Sequence, residues 1–333
     1  MEVKKKLRRM TRRTEFYIFI VLVVMCIAIE IISGALFEAT SIVDIARSMT
    51  IPGMFALVSL MVVISGGFDL SFPTLASLSY SAATTIVLSQ GWAQESALVA
   101  FLLAGAIGLV LGMLNGFIIS RFKLNTMIVT LGTQTLFLGI SMGLLQLSEI
   151  TSTLPLGLRH FGEASLFEVY SSTGMRSTMP VVFLLFVLLA LIVWFVLKYT
   201  MFGRALYAIG GNEISAERAG FNVKRTKFWL YALVGLVCGL IGMLRVCMLR
   251  QAIPKGLNGW DLKVIPAVIL GGASIYGGEG SVFGTLVAVG LITVISNSLL
   301  LIGIDSYWQE FFNGLVILAG VTISSVQAMR RNK

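Results

Sequence analysis

Charge is scarce in this sequence. Only 12% of its 333 residues are Asp, Glu, Lys or Arg, against ~25% in a soluble domain. With 57% apolar residues, such a chain excludes water from its core only if lipid covers most of its outside. It therefore reads as a polytopic membrane protein. Proline is rare too: six residues, too few for a linker-rich multidomain chain. The three cysteines, Cys26, Cys238 and Cys247, all lie inside apolar runs and form no CxxC pair. They read as buried thiols packing like small hydrophobes, not as a disulfide framework. His160 is the single histidine. Without clustered cysteines or acids it makes no metal site, and a surface position is expected. No GxxxxGK[ST] occurs, so no loop cradles a nucleotide phosphate. "GGASIYGGEG" is glycine-rich but lacks the lysine, and reads as a tight turn between two spans. No Ser–His–Asp set, HExxH or paired carboxylates on one helix supports an intramembrane enzyme, and no catalytic residue is assigned.

What is abundant is long apolar runs. About ten can be laid out, at 16–36, 45–65, 72–90, 96–119, 126–147, 179–199, 228–248, 262–277, 281–302 and 307–326, most near the ~20 residues that span a bilayer. The short eighth run and the polar stretch 66–74 admit broken or re-entrant helices, tolerated where protein or water covers the bared backbone. The first run follows a basic stretch without a nearby small-x-small cleavage site, so it reads as a retained helix. The expected domains are a basic tail (1–15), one transmembrane domain (16–326) and a short tail (327–333).

Basic residues set the expected orientation. Seven lie in "KKKLRRMTRR" before the first run. With Arg121, Lys123, the region 198–227 and Arg330, Arg331 and Lys333, eighteen of the 25 fall on one side. Asp44, Glu95, Glu149, Glu163, Glu168, Asp261 and Asp305 fall on the other. Both termini are then cytoplasmic, and the longest outer loop is 147–179. The net charge of +9 is topogenic and does not imply nucleic acid. Arg245, Arg250, Lys255 and Lys263 break the pattern near the outer face. They are read as snorkelling to headgroups or, for Arg250 and Lys255, as docking an acidic partner surface.

Several polar features interrupt the oil. Gly105, Gly108, Gly112 and Gly116 share one helix face, as close helix packing requires. Asn115, Asn297 and Asn313 lie inside spans and Asn125 at an edge, so their amides face the bundle interior, in interhelical hydrogen bonds or along a solute path. In "GGFDLS", Gly66, Gly67 and Asp69 read either as an unwound segment facing a water-filled path or as a helix start capped by Asp69 at the cytoplasmic interface. Nearly all other acids map to loops or span ends, with Glu30 and Glu310 the nearest exceptions. "YAIGGNEISAERAGFNVKR" (207–225) is a polar island. Asn212 suits an N-cap, Glu213 the first turn and Gly220 a left-handed C′ position. The helix between them, about seven residues, is too short to stand alone in water. Something must hold it: this domain or a partner.

"GRALYAIGGNEISAERAGFNVKR", "SGGFDLSFPTLASLS", "LNGFIISRFKLNTMIVTLGTQTLFLG" and "AVILGGASIYGGEGSVFGTLVAVGLITVISNSLLLIGIDSYWQEFFNGLVIL" together resemble, in order, the permease subunits of ribose-type, or simple-sugar, ABC importers. The likeness runs from about residue 45 to 326. It implies an all-α membrane protein of about ten transmembrane helices with the ABC importer permease fold, in a bacterial inner membrane. It implies a second permease subunit, a cytoplasmic ATPase that holds the ATP and Mg, and a periplasmic or lipid-anchored sugar-binding protein. This chain then binds no cofactor itself. The segment 203–227 becomes the coupling helix and its flanks, with Gly203, Arg204, Gly211, Asn212, Glu213, Glu217, Arg218 and Gly220 at the ATPase. Gly66, Gly67, Asp69, Asn115, Asn125, Gly271, Gly272 and Asn297 become pathway candidates, and Arg250 and Lys255 docking candidates for the binding protein. The sequence departs from the family at Pro73 (usually small), Thr126 (usually proline), Lys263 (usually an acid) and Pro266 (usually alanine). These positions flank the implied pathway. The same superfamily carries branched-chain amino acids or nucleosides. An ion-coupled secondary transporter is the alternative of another class and calls for ionisable residues deep in the spans.

Overall fold

The computed structural model describes residues 14–91, 97–151, 154–171 and 174–301, together with 303, 305, 308–309, 311–315, 318 and 322. The basic tail, Glu95, Glu310, the C-terminal tail and most of the run 307–326 lie outside the described residues.

The chain is mostly helical. Five helices come first: α1 (Thr14–Ser33), α2 (Ala39–Ile64), α3 (Phe72–Gln90), α4 (Ala97–Phe122) and α5 (Thr126–Gly139). The last widens into a π-helical turn, Ile140–Leu144. Then come α6 (Leu156–Glu163), a hairpin of β1 (Ser165–Tyr170) and β2 (Arg176–Pro180), and α7 (Val182–Tyr199). The chain continues with α8 (Met201–Gly211), α9 (Glu213–Arg218), α10 (Val223–Leu249), α11 (Asp261–Leu270) and α12 (Val282–Leu301). Seven helices among the described residues are long and apolar enough to cross a membrane: α1, α2, α4, α5 with its π-turn, α7, α10 and α12.

Two of the ten expected spans differ for physical reasons. α3 has 19 residues, enough length, but is rich in Ser and Thr. It lies inside the protein instead of against lipid, and residues 72–84 are all buried. Several of its hydroxyls turn on the helix's own backbone: Ser79 donates to the Leu75 carbonyl (2.7 Å) and Thr84 to that of Tyr80 (2.7 Å). α11 has ten residues, ~15 Å at helical rise, about half a bilayer core. It ends at Leu270, where the eighth run was expected to continue to 277, because the glycine turn begins there.

Among the described residues the hairpin is the one two-stranded sheet in a chain expected to be all-α. It belongs to the long loop 147–179 and is tied to α2 by Ser171 Oγ to Glu38 (2.8 Å) and Ser177 Oγ to Asp44 (2.6 Å). His160 sits exposed on α6, 4.0 Å from Glu163. Cys238 and Cys247 are buried as expected and Cys26 is half-buried.

Two kinds of helix surface coexist. α7 presents Leu184, Leu188, Leu191 and Phe195, all more than half exposed, in one stripe. Their four-three-four spacing is a single helix face, suited to acyl chains. α4 meets α10 through glycine instead. A Cβ on Gly108 would stand 2.3 Å from the Gly235 carbonyl oxygen, one on Gly112 2.4 Å from that of Tyr231, and one on Gly116 2.7 Å from that of Phe228. Lipid offers no hydrophobic drive for helix association, so this contact rests on close backbone packing.

Gly108→Ala is therefore expected to destabilise the protein by ~1–3 kcal/mol. Gly132→Ala, where nothing lies within 4 Å, is expected to gain ~0.5–1 kcal/mol from helix preference. Unfolding temperatures in detergent would show the opposite signs.

Candidate functional site

The polar island folds as two helices. α8 begins at Thr200, whose Oγ1 accepts from Gly203 N (3.1 Å). α9 begins at Asn212, whose side chain accepts from Ser215 N (2.8 Å). It ends in a Schellman motif, with Gly220 N donating to Glu217 O (3.0 Å) and Phe221 N to Ala216 O (3.1 Å). Gly220 takes φ +91, the left-handed backbone this ending needs. α9 has six residues, and the domain itself holds it. Ala216 and Phe221 pack into a cluster with Ala205, Ile209 and Val223, and Lys227 Nζ reaches Glu213 at 2.7 Å. Glu213 thus holds the helix down. The outward surface consists of Ile214, which is 64% exposed, with Glu217 and Arg218. Arg204 is exposed, whereas Gly203 is buried against α7: a Cβ there would meet Val196 O at 2.2 Å.

Behind the island three glycine stretches touch through backbone. A Cβ on Gly210 would lie 1.9 Å from Ile64 O, and one on Gly277 2.6 Å from Gly66 Cα. One on Gly278 would lie 2.9 Å from Gly211 Cα. Gly278 N donates to Ile64 O (2.9 Å), and Tyr207 Oη to Gly280 O (2.9 Å). The end of α2, the end of α8 and the α11–α12 turn thereby form one node. Gly271 is buried at the start of that turn, 2.6 Å from Thr285 Cα by the same measure, and Gly272 adopts φ +93.

From the node the unwound segment 65–71 runs into the interior. Phe68 N donates to Thr126 Oγ1 (3.0 Å), and Leu70 N to Thr130 Oγ1 (3.1 Å). Thr126 stands where the resemblance expects proline, and its hydroxyl takes a bond proline could not. Asp69 does not occupy the cap position of α3 and is buried. Ser71 holds the cap position, and Asp69, only 3% exposed, accepts from Ser71 N (2.8 Å) and Ser71 Oγ (2.7 Å). Asn115 Nδ2 donates to that same Oγ (2.8 Å), an interhelical bond between α4 and the α3 start. Asn125 caps α5, accepting from Met127 N (2.9 Å). The structure thus gathers Gly66, Gly67, Asp69, Asn115 and Asn125 around one break. Asn297 lies elsewhere, on a cavity wall with Asn313.

Two residues depart from their expected surroundings. Asp261, expected in an outer loop, is buried at the first turn of α11. Arg245 does not snorkel. It is 8% exposed, donates from Nη2 to Gly256 O (2.9 Å) and lies 5.6 Å over the Trp260 ring. Tyr80 Oη fixes the same loop through Ile253 O (2.6 Å). A charge inside an apolar run was the available signal for this clamp. Tyr207 and Thr130 carried no such signal. Arg250 and Lys255 are exposed, Arg250 with Glu163 at 3.4 Å. Glu30, near the end of α1, accepts from Phe37 N (3.1 Å).

A sequence profile described as branched-chain amino acid transport system / permease component matches residues 41–321. The chain is 33% identical over 306 residues to the ribose import permease protein RbsC of Bacillus subtilis, covering 92% of this chain and 91% of that one. It is 30% identical to RbsC of Escherichia coli strain K12, covering 92% of each. It is 30% identical to the fructose import permease protein FrcC of Rhizobium meliloti, covering 91% of this chain and 83% of that one. No solved structure matches the chain.

The node makes a paired prediction. Gly210→Ala drives a Cβ into Ile64 O and should loosen the island by ~1–3 kcal/mol; Gly211→Ala, with open space around it, should not. Limited trypsinolysis at Arg204, Arg218 and Lys224 in membranes reads the difference as several-fold faster cleavage in the first variant only.

Proposed function

Since the chain belongs to the family of branched-chain amino acid transport system permease components, we propose that it is the transmembrane permease subunit of an ATP-binding cassette importer for a monosaccharide or sugar-like solute. The observation that carries this is the near full-length likeness to ribose import permeases. In this reading the protein is multi-pass in a bacterial inner membrane, crosses it about ten times, and keeps both termini in the cytoplasm. It works with a second permease subunit, an ATPase and a sugar-binding protein. ATP and Mg sit on the ATPase, and this chain does no bond-breaking chemistry.

The geometry suits alternating access. α9 is a capped peg whose outward Ile214, Glu217 and Arg218 fit a groove on the ATPase. Glu213 and Lys227 brace it from behind. Gly210 and Gly211 lead into a node without intervening side chains, so displacement of the peg passes to the end of α2 and to the break at 65–71. Asp69, Asn115 and the threonines let that break keep its hydrogen bonds while its backbone stays non-helical. Arg250 and Lys255 fit an acidic face on the binding protein.

The family description names branched-chain amino acids, but all three relatives above are named for sugars, which favours the sugar. An ion-coupled transporter would need buried ionisable groups. Asp69 and Asp261 are such groups, yet the family stands against that mechanism.

The test is ATP-dependent uptake in liposomes by the chain co-expressed with its ATPase and binding protein, over a panel of pentoses, hexoses and leucine. Sugar uptake with ATPase stimulation by the loaded binding protein is expected. Uptake driven by an ion gradient without an ATPase would overturn the reading. Glu217→Lys with Arg218→Glu should cut coupled uptake ~10-fold, the loss of one or two charge-assisted contacts. Arg250→Glu with Lys255→Glu should weaken only the stimulation by binding protein.

A further inference from the structure

A cavity of about 310 Å³ lies between α2, α11, α12 and the residues that follow α12. We infer that it is a transient binding site for a neutral, polyhydroxylated ring, with Trp260 as its apolar platform and Asn297, Gln309 and Asn313 as its hydroxyl partners. The inference rests on the reading of the chain as a sugar permease and adds the site.

The volume is at the lower end of the ~300–1,000 Å³ of small-molecule pockets, so the occupant is small. The polar groups are placed and only partly satisfied. Asn297 Nδ2 is buried without a partner. Gln309 Nε2 donates to Ser296 O (3.0 Å), and Ser296 Oγ to Asn313 Oδ1 (3.2 Å). These bonds fix both amides and leave Gln309 Oε1 and Asn313 Nδ2 for a ligand. Pro52 on the opposite wall has no N–H, which deprives the Ser48 carbonyl of its helical partner; both residues line the cavity. The site thus mixes donors and acceptors, as hydroxyls require.

The platform is rigid. Trp260 is held by Arg245 above its ring (5.6 Å) and by the edge contact with Phe55 (6.0 Å between centroids). An aromatic floor with a few convergent polar groups is the usual make-up of a small-molecule site. The charge pattern selects among solutes. Among the described lining residues Lys263 is the one charged group, and no carboxylate stands among them. An amino acid would need a partner for its ammonium group and finds none among these residues; a neutral sugar needs neither sign.

Position supports transport. Pro52 precedes Ile64 by twelve residues on α2, ~18 Å at helical rise, and Ile64 is part of the glycine node. One helix therefore joins the cavity wall to the coupling end.

The test uses the complete complex in liposomes, with radiolabelled pentoses and hexoses as probes, and reads uptake and ATPase stimulation separately. Asn297→Leu should lower sugar uptake ~10-fold, the effect of one polar group left without its partner, while the loaded binding protein stimulates the ATPase as in wild type. Trp260→Leu should do likewise, and Trp260→Phe should restore much of the uptake. Co-purification with the ATPase checks assembly; if Asn297→Leu fails it, Gln309→Ala takes its place. Wild-type uptake of every probe in both assembled variants would overturn the site while leaving the permease reading intact. A wild-type complex that neither takes up a probe nor responds to a loaded binding protein would remove that reading, and this one with it.

Discussion

Backbone contact through glycine is the constraint on which this molecule depends. A soluble core gains from expelling water. Helices already in lipid gain little of that, and dispersion and polar contacts decide which faces meet. Two of the closest contacts of the fold obey this rule. Along the α4–α10 seam, Gly108, Gly112 and Gly116 admit the α10 backbone. At the node, Gly210 and Gly277 admit the end of α2. Any side chain at either place costs stability, since even a methyl group would overlap main-chain atoms.

The second constraint follows from the first. A bundle this close can afford a helix break only where every bared amide finds an acceptor. The segment 65–71 meets it with threonine hydroxyls from α5 and a carboxylate–hydroxyl–amide chain from Asp69 through Ser71 to Asn115. In the unbroken α3, Ser79 and Thr84 turn their hydroxyls on the helix's own carbonyls. These side chains lower the apparent hydropathy of the region, yet they lie among the most buried residues of the protein. Burial here tracks enclosure by other helices, while hydropathy tracks exposure to lipid.

That difference explains what could be read from the residues and what could not. Lipid-facing spans such as α1 and α7 follow directly from their apolar runs. The capped helix α9 was legible because Asn212 and Gly220 act within a few residues of their targets. The salt bridge from Glu213 to Lys227 was not, because it depends on how α9 folds back on α10. The hairpin 165–180 escaped because strands of six and five residues are too short for an alternation to stand out. Arg245 was read as a surface charge since its partners, the Gly256 carbonyl and the Trp260 ring, become neighbours only when the loop after α10 folds over it. The node was illegible as a unit. Its members, Ile64, Gly210 and Gly278, are spread over more than half the chain and share no local pattern.

Taken together these contacts give α2 an unusual position. Its far part carries Pro52 at the polar cavity, its end enters the glycine node, and its continuation is the hydrogen-bonded break. A helix proline is a place where a helix bends with little loss, because one backbone bond is already missing. The node, by contrast, cannot yield without moving main chain. A displacement arriving at α8 must then reach α2 whole and be taken up where α2 is softest, at Pro52. If the island is the coupling surface proposed above, the stiff end and the soft wall of one helix are arranged so that its motion changes the shape of the cavity before it changes the seam that holds the bundle together.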